Sequence, residues 1–228
     1  MFRNKGIFIT ATDTEVGKTI VTCGLTMALR KKGVSVCAIK PVASGGIPNP
    51  DSILLSKCLG VDPDDTSAVS FKEPLAPYSI IRKTGMKIDV SYAIQKIRNL
   101  ERSSDLVIVE GIGGILVPFD KQYSVIDLIV ELGYPVLVVC RTELGTINHT
   151  LMTLKLLEHR KVPIIGFTAN NTTDAETDIS QPDNPGIIEE LSGIECLCVF
   201  PYAGKGNDIS TKLDKEFECL AEKIISKI

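Results

Sequence analysis

The segment Thr10 to Thr19, TATDTEVGKT, holds the residue types that grip a polyphosphate. Gly17-Lys18-Thr19 ends a loop of the Walker A kind. There, main-chain N–H groups at a helix start, helped by the positive end of the helix dipole, cradle phosphates. Lys18 would reach the outer phosphates and the Thr19 hydroxyl would ligate Mg²⁺. The full G-x-x-x-x-G-K-[ST] pattern needs Gly at position 12, where this chain has Thr12. Context strengthens the reading, because an apolar strand precedes the segment and a long helical pattern follows it. Helix capping alone explains the Thr and Asp residues but not Gly17-Lys18 at that junction.

Other polar residues end apolar runs. Lys40 closes one and is followed by Pro41-Val42-Ala43-Ser44-Gly45-Gly46. A lysine finishing a buried strand is costly unless it meets an anion; the plainer alternative is a side chain emerging into solvent. The run Leu106–Val109 ends in Glu110-Gly111-Ile112-Gly113-Gly114. A carboxylate there matches the strand-end Asp that supports Mg²⁺ in Walker B loops, and the glycines let backbone approach a ligand. Asp51 is a third candidate carboxylate, or simply the cap of a short helix. Thr19, Asp51 and Glu110 together would offer three oxygens, with waters and phosphates completing the octahedron that Mg²⁺ prefers. Beyond Arg141, Leu144 to His149 opens a helix whose N-terminus suits a carboxylate, while His149 alone reads as a capping or packing histidine. Ala169-Asn170-Asn171 ends a further strand; an Asn there reads a nucleobase edge through its amide or merely makes a turn.

Elements that would position these residues alternate along the chain. Strands are expected at Gly6–Thr10, Val34–Lys40, Leu106–Glu110, Pro135–Cys140, Ile164–Ala169 and Glu195–Phe200. Helices are expected at Lys18–Lys32 (closed by Gly33), from about Asp51, after Asp89, from Ser124 to Gly133, at Ile147–Glu158 and at Asp214–Ile228. PVASGGIPNP reads as a Gly/Pro-rich loop. Strands apolar on both faces, alternating with helices, imply a doubly wound α/β fold, a mostly parallel sheet with helices on both faces. In such a sheet ligands bind beyond the carboxyl ends of the strands, where the polar residues collected above stand.

The 228 residues suit a single domain over 1–228, with 44% hydrophobic and 23% charged residues, as in ordinary globular chains. A net charge of −3 and few aromatics (5%, no Trp) argue against nucleic acid as partner. No apolar run approaches a membrane span, and MFRNKGIFIT does not read as a signal peptide, so a cytoplasmic protein is expected. Seven cysteines, without a C-x-x-C pair, read as reduced structural thiols. The first 50 residues carry seven Lys or Arg against two acids, placing positive charge beside the phosphate loop. The stretch from Asn171 to Glu190 carries six acids and no Lys or Arg and reads as a solvated loop.

Together, TDTEVGKT (12–19), KPVASG (40–45), Asp51-Ser52, VEGIGG (109–114), LGTINHTLMT (144–153) and TANN (168–171) resemble the dethiobiotin synthetase family, in the family's order and over most of the chain. The resemblance implies a P-loop NTPase-like fold, ATP as co-substrate, Mg²⁺, and a homodimer with the active site at the subunit interface. It implies ATP contacts from Glu15, Val16, Gly17, Lys18, Thr19, Ile20, Asp51, Glu110, Gly111, Ile112 and Gly113, with Asn170, Asn171, Pro201 and Tyr202 about the adenine. Thr19, Asp51 and Glu110 would hold the metal, and Lys40 and Lys18 would be catalytic. Ser44 would touch the substrate, and Gly145, Thr146, Ile147 and Asn148 of the second subunit would bind its carboxylate. Three positions depart from the family's usual pattern: Ala11 replaces a Gly, Ile112 a smaller residue, and Tyr78 after Ala76-Pro77 a His.

The implied reaction starts when an amine of 7,8-diaminononanoate captures CO₂ as a carbamate. A carbamate oxygen attacks the γ-phosphorus of ATP to give a carbamic-phosphoric anhydride with ADP as leaving group, and the second amine closes the ureido ring and expels phosphate. Two other protein classes share parts of this pattern. Partition or targeting ATPases carry a second loop lysine five residues before the P-loop lysine, where this chain has Asp13. Amide-forming ligases acting on corrin-like acids usually carry an amidotransferase domain, for which 228 residues leave no room.

Overall fold

The computed structural model describes residues 4–173, 179–204 and 212–228. Seven strands form one sheet: β1 (Gly6–Ala11), β2 (Val36–Ser44), β3 (Ser67–Phe71), β4 (Leu106–Gly114), β5 (Val136–Arg141), β6 (Ile164–Asn170) and β7 (Cys196–Phe200). Their order is β3-β2-β4-β1-β5-β6-β7, and every neighbouring pair is parallel. The helices are α1 (Lys18–Lys31), α2 (Pro50–Leu59), α3 (Pro77–Thr84), α4 (Val90–Ser103), α5 (Val125–Leu132), α6 (Thr146–His159), α7 (Asn184–Ser192) and α8 (Asp214–Lys227).

Strand alternation divides the core in two. Ile7, Ile9 and Ala11 of β1, Val36 and Ala38 of β2, and Leu106 and Ile108 of β4 pack with α1, with Leu55 of α2 and with Phe217, Leu220 and Ile224 of α8. Phe8, Ile39, Val107 and Val109 point the other way, toward Ile80 of α3, Ile97 of α4, and residues of α5, α6 and α7. The fold is doubly wound, as the sequence implies, with an all-parallel sheet among the described residues. All seven cysteines are free, with Cys23 and Cys140 buried. Among the described residues no helix is long and apolar enough to cross a membrane.

Several elements depart from the sequence expectation. β2 does not stop at Lys40 but runs through Pro41 to Ser44, so PVAS is strand rather than loop. Its ladder with β4 holds from Val36 to Ile39, and the ladder with β3 takes over from Lys40 to Ser44. β3 itself was not anticipated, because its SAVSF sequence is short and only partly buried. Nor were α3 and α7, each with a proline in its first turn, a residue that reads as a breaker unless taken as a helix start. α7 also begins inside the acidic stretch read as a loop, of which residues 174–178 lie outside the described ones. The cap of α2 is Asn49, not Asp51.

Candidate active site

β1 leads into α1 through the phosphate loop at the centre of the sheet, where successive connections depart to opposite sides. Gly17 caps α1 in a left-handed conformation, φ 90°, which an L side chain seldom adopts. A Cβ there would also lie 2.5 Å from Asn170 Nδ2. That amide donates to the Val16 carbonyl at 2.6 Å, tying the end of β6 to the loop. Lys18 is buried, and its Nζ donates to the Asp13 carbonyl at 3.2 Å. Burial lowers its pKa to about 8, against the opposing pull of Glu110; Lys40 adds to the lowering, while Asp51 and Asp13 oppose it.

Period-two alternation puts Lys40 and Glu110 on the sheet face that carries α1 and α2. They follow Ile39 and Val109, the last paired residues of the β2–β4 ladder, so both emerge where the two strands part. Lys40 Nζ donates to Glu110 Oε1 at 2.9 Å and pairs with Asp51 Oδ2. Thr19 Oγ1 donates to the same Glu110 oxygen at 2.7 Å. Glu110 is fully buried, and its second oxygen has no hydrogen-bond partner among the described residues. Burial works against charge on Lys40, but Glu110 and Asp51 outweigh it and hold its pKa above the usual lysine value. Burial likewise disfavours ionised Asp51, yet Lys40 keeps its carboxyl below the ordinary range, with help from Thr19 and Lys18.

Asn49 explains how Asp51 comes to face Lys40. Its Oδ1 accepts the Asp51 N–H at 2.9 Å and its Nδ2 donates to the Ser44 carbonyl. With Pro50 at the first helical position, the cap is complete without the Asp51 carboxylate, which is left for the cleft.

Two adjoining clefts open on this edge. The larger, about 520 Å³, is lined by the phosphate loop, Lys40, Ser44, Asp51, Ile112 and Gly113. The smaller, about 130 Å³, shares Glu15, Gly17 and Ile20 with it and is walled by Asn170, Asn171, Phe200, Pro201 and Tyr202. Gly111 lines neither; it lies under the Phe8 ring, 2.9 Å from where a Cβ would stand. Gly145, Thr146, Ile147 and Asn148 are likewise absent from both clefts and sit together at the start of α6. Thr146 is engaged twice, its hydroxyl on the Arg141 carbonyl (2.6 Å) and its N–H on the Glu143 carbonyl (3.1 Å). Sequence reasoning passed over Asn49, Thr172 and Phe217 as site residues. The Asn-Pro pair at a helix start could have signalled the first; the other two reach the cleft only through tertiary packing.

A family model described as an AAA domain matches residues 5–208. The chain is 36% identical over 213 residues to the ATP-dependent dethiobiotin synthetase BioD of Thermodesulfovibrio yellowstonii, covering 86% of this chain and 88% of that one. Identity is 39% over 202 residues to the protein of the same name from Anaeromyxobacter dehalogenans (87% and 90% covered). It is 35% over 205 residues to that of Nitrosopumilus maritimus (87% and 89%). Among solved structures the chain is similar to the MinC:MinD cell division protein complex of Aquifex aeolicus, with a TM-score of 0.63, 18% identity, and 99% and 97% coverage. It is also similar to the septum site-determining protein MinD complexed with Mg-ADP from Pyrococcus horikoshii, with a TM-score of 0.59, 18% identity, and 96% and 95% coverage. At such identities the likeness concerns the P-loop ATPase fold alone.

Proposed function

Because the chain belongs to the ATP-dependent dethiobiotin synthetase family, we propose that its two adjoining clefts hold ATP and the carbamate of 7,8-diaminononanoate during ring closure. The protein is an ATP-dependent ligase of biotin biosynthesis that forms dethiobiotin. The observation that carries the site assignment is the pair of buried ammonium groups, Lys18 and Lys40, at the edge of one cleft.

In this reading the ATP phosphates lie along Glu15 to Ile20, bordered by Ile112 and Gly113, and the adenine occupies the smaller cleft. Thr19, Asp51 and Glu110 suit Mg²⁺: all three offer hard oxygen donors, and the buried Glu110 Oε2 lacks a partner among the described residues. Bound there, the metal would supply positive charge to the phosphoryl oxygens. Lys18 holds the outer phosphates. Lys40 faces the carbamate beside Ser44, where its charge stabilises the oxygens that become more negative as the anhydride forms and the second amine attacks. Such a path needs fixed cations more than bases, and both lysines are held by neighbours rather than free to swing.

The substrate carboxylate requires a second copy of the chain in this reading. Ile147 and Asn148 would meet it with main-chain N–H groups, and Gly145 sets the left-handed cap that opens the helix. Thr146 fixes the turn through its two engaged groups. The surface beside this helix start carries exposed Leu116 (66%), Leu144 (81%) and Met152 (55%), apolar side chains suited to burial between two protomers. The resulting homodimer works in the cytoplasm as a single catalytic domain per chain.

Phosphate release from ATP, measured with and without bicarbonate and the diamine, tests the assignment. Release should require both, with a product of dethiobiotin's mass. ATP turnover indifferent to the diamine would overturn it and favour a nucleotide switch.

A further inference from the structure

Beyond Asn170 the chain leaves the sheet, and the Asn171 N–H on the Phe200 carbonyl (2.9 Å) is its last β6–β7 tie. Yet Asn171 and Thr172 wall the smaller cleft, so this departing segment has to be held in place. The holding group comes from another loop. Glu143, between β5 and α6, accepts the Thr172 N–H (2.9 Å) and hydroxyl (2.8 Å) on one carboxylate oxygen. The same oxygen accepts the Thr173 N–H (3.2 Å) and hydroxyl (3.3 Å). Buried Gln181 donates to Thr173 Oγ1 at 3.1 Å and approaches the same Glu143 oxygen at 3.5 Å. The preceding residue joins in: Thr142 Oγ1 donates to Asn171 Oδ1 at 2.7 Å. Meanwhile the Glu143 carbonyl accepts the Thr146 N–H in the turn that opens α6.

We propose that Glu143 is a positioning residue for nucleotide binding: its carboxylate latches Thr172 and Thr173 so that the Asn170–Thr172 segment is held as the wall against the base. A carboxylate oxygen has acceptor capacity and no donor, so it can gather two N–H and two O–H donors on one side of a loop. Its backbone ties the same latch to the start of α6. Nucleobase-reading segment and proposed carboxylate-binding helix start are thus braced by one residue. The assignment rests on the base lying in the smaller cleft.

Equilibrium titration with ATP and, separately, with inorganic tripolyphosphate tests this. Glu143→Ala should weaken ATP roughly tenfold while leaving tripolyphosphate within twofold, because the phosphate loop is untouched. Glu143→Gln, which keeps an acceptor but not the charge, should fall between parent and Ala. It also serves as the deciding variant if the Ala protein does not fold. Unchanged ATP affinity in the folded variant, or equal weakening of both ligands, would overturn the proposal, the latter marking a merely structural role. The wider reading fails separately: there, the parent would not bind ATP, or Lys18→Ala would leave ATP affinity intact.

Discussion

Lys40 shows how much a single residue's surroundings decide. It lies buried between Glu110 and Asp51, so its charge is compensated twice before any substrate arrives. Replacing it by glutamine leaves Glu110 and Asp51 without their shared cation and removes the charge proposed to face the carbamate. Lys40→Gln should therefore cut ring closure by about 10²–10³-fold, the scale of losing one electrostatic stabiliser, while ATP still binds. Phosphate release paired with ATP titration reads both; near-normal turnover would contradict the role. At this scale the sequence is informative, because a Lys, a Glu or a Gly-Lys-Thr at the end of an apolar run stands out against its neighbours. What escaped it were residues whose work is indirect. Asp51 reads equally as a cap or a ligand until Asn49 is seen to take the capping position. Gly111 reads as a ligand contact, and that the Phe8 ring packs against it shows only in the structure.

Elements obey the same logic with weaker signals. α5 begins with a reciprocal cap: Asp127 Oδ2 accepts both the Ser124 N–H (2.8 Å) and hydroxyl (2.7 Å), and Oδ1 accepts from Arg160 (2.8 Å). Burial opposes ionisation of Asp127, but Arg160 and Ser124 outweigh it and hold its carboxyl below the usual range. A depressed folded-state value contributes stability above the ordinary aspartate pKa of about 4, and that contribution is lost as pH falls through the folded value. Asp127→Asn should thus cost roughly 1 kcal/mol at pH 7, mostly from the cap, since solvent screening limits the share of the partly exposed ion pair. In denaturant titrations the difference should close as pH falls below the ordinary aspartate range; a loss equally large there would contradict it. The Ser124 start and Gly133 stop of this helix are plain in the sequence, whereas β3 is not. A five-residue strand at a sheet edge, only partly buried, has too little apolar periodicity to announce itself and forms because β2 offers it an edge.

At the scale of the molecule, the proposed homodimer makes its own prediction. Placing a charge in the exposed apolar surface, by Leu116→Asp with Met152→Glu, should yield a monomer in sedimentation equilibrium. That monomer should bind ATP within about twofold of the parent yet need at least ~10-fold more diamine, since each cleft lacks its partner's helix start. A monomeric parent with full activity would contradict this. Net charge alone says little about such an assembly; the two lysines of the cleft say more, because one sheet edge gathers them from the start of α1 and from within β2. The C-terminal helix has a consequence of a different order. Phe217 of α8 lies so close to α1 that a Cβ on Gly24 would stand 2.2 Å from its ring, and it also lines the cleft assigned to the base. The phosphate loop is translated early and this wall of the cleft late. The cleft proposed for the base thus draws its walls from segments far apart in the chain, and it is enclosed on this side only once α8 has packed on α1.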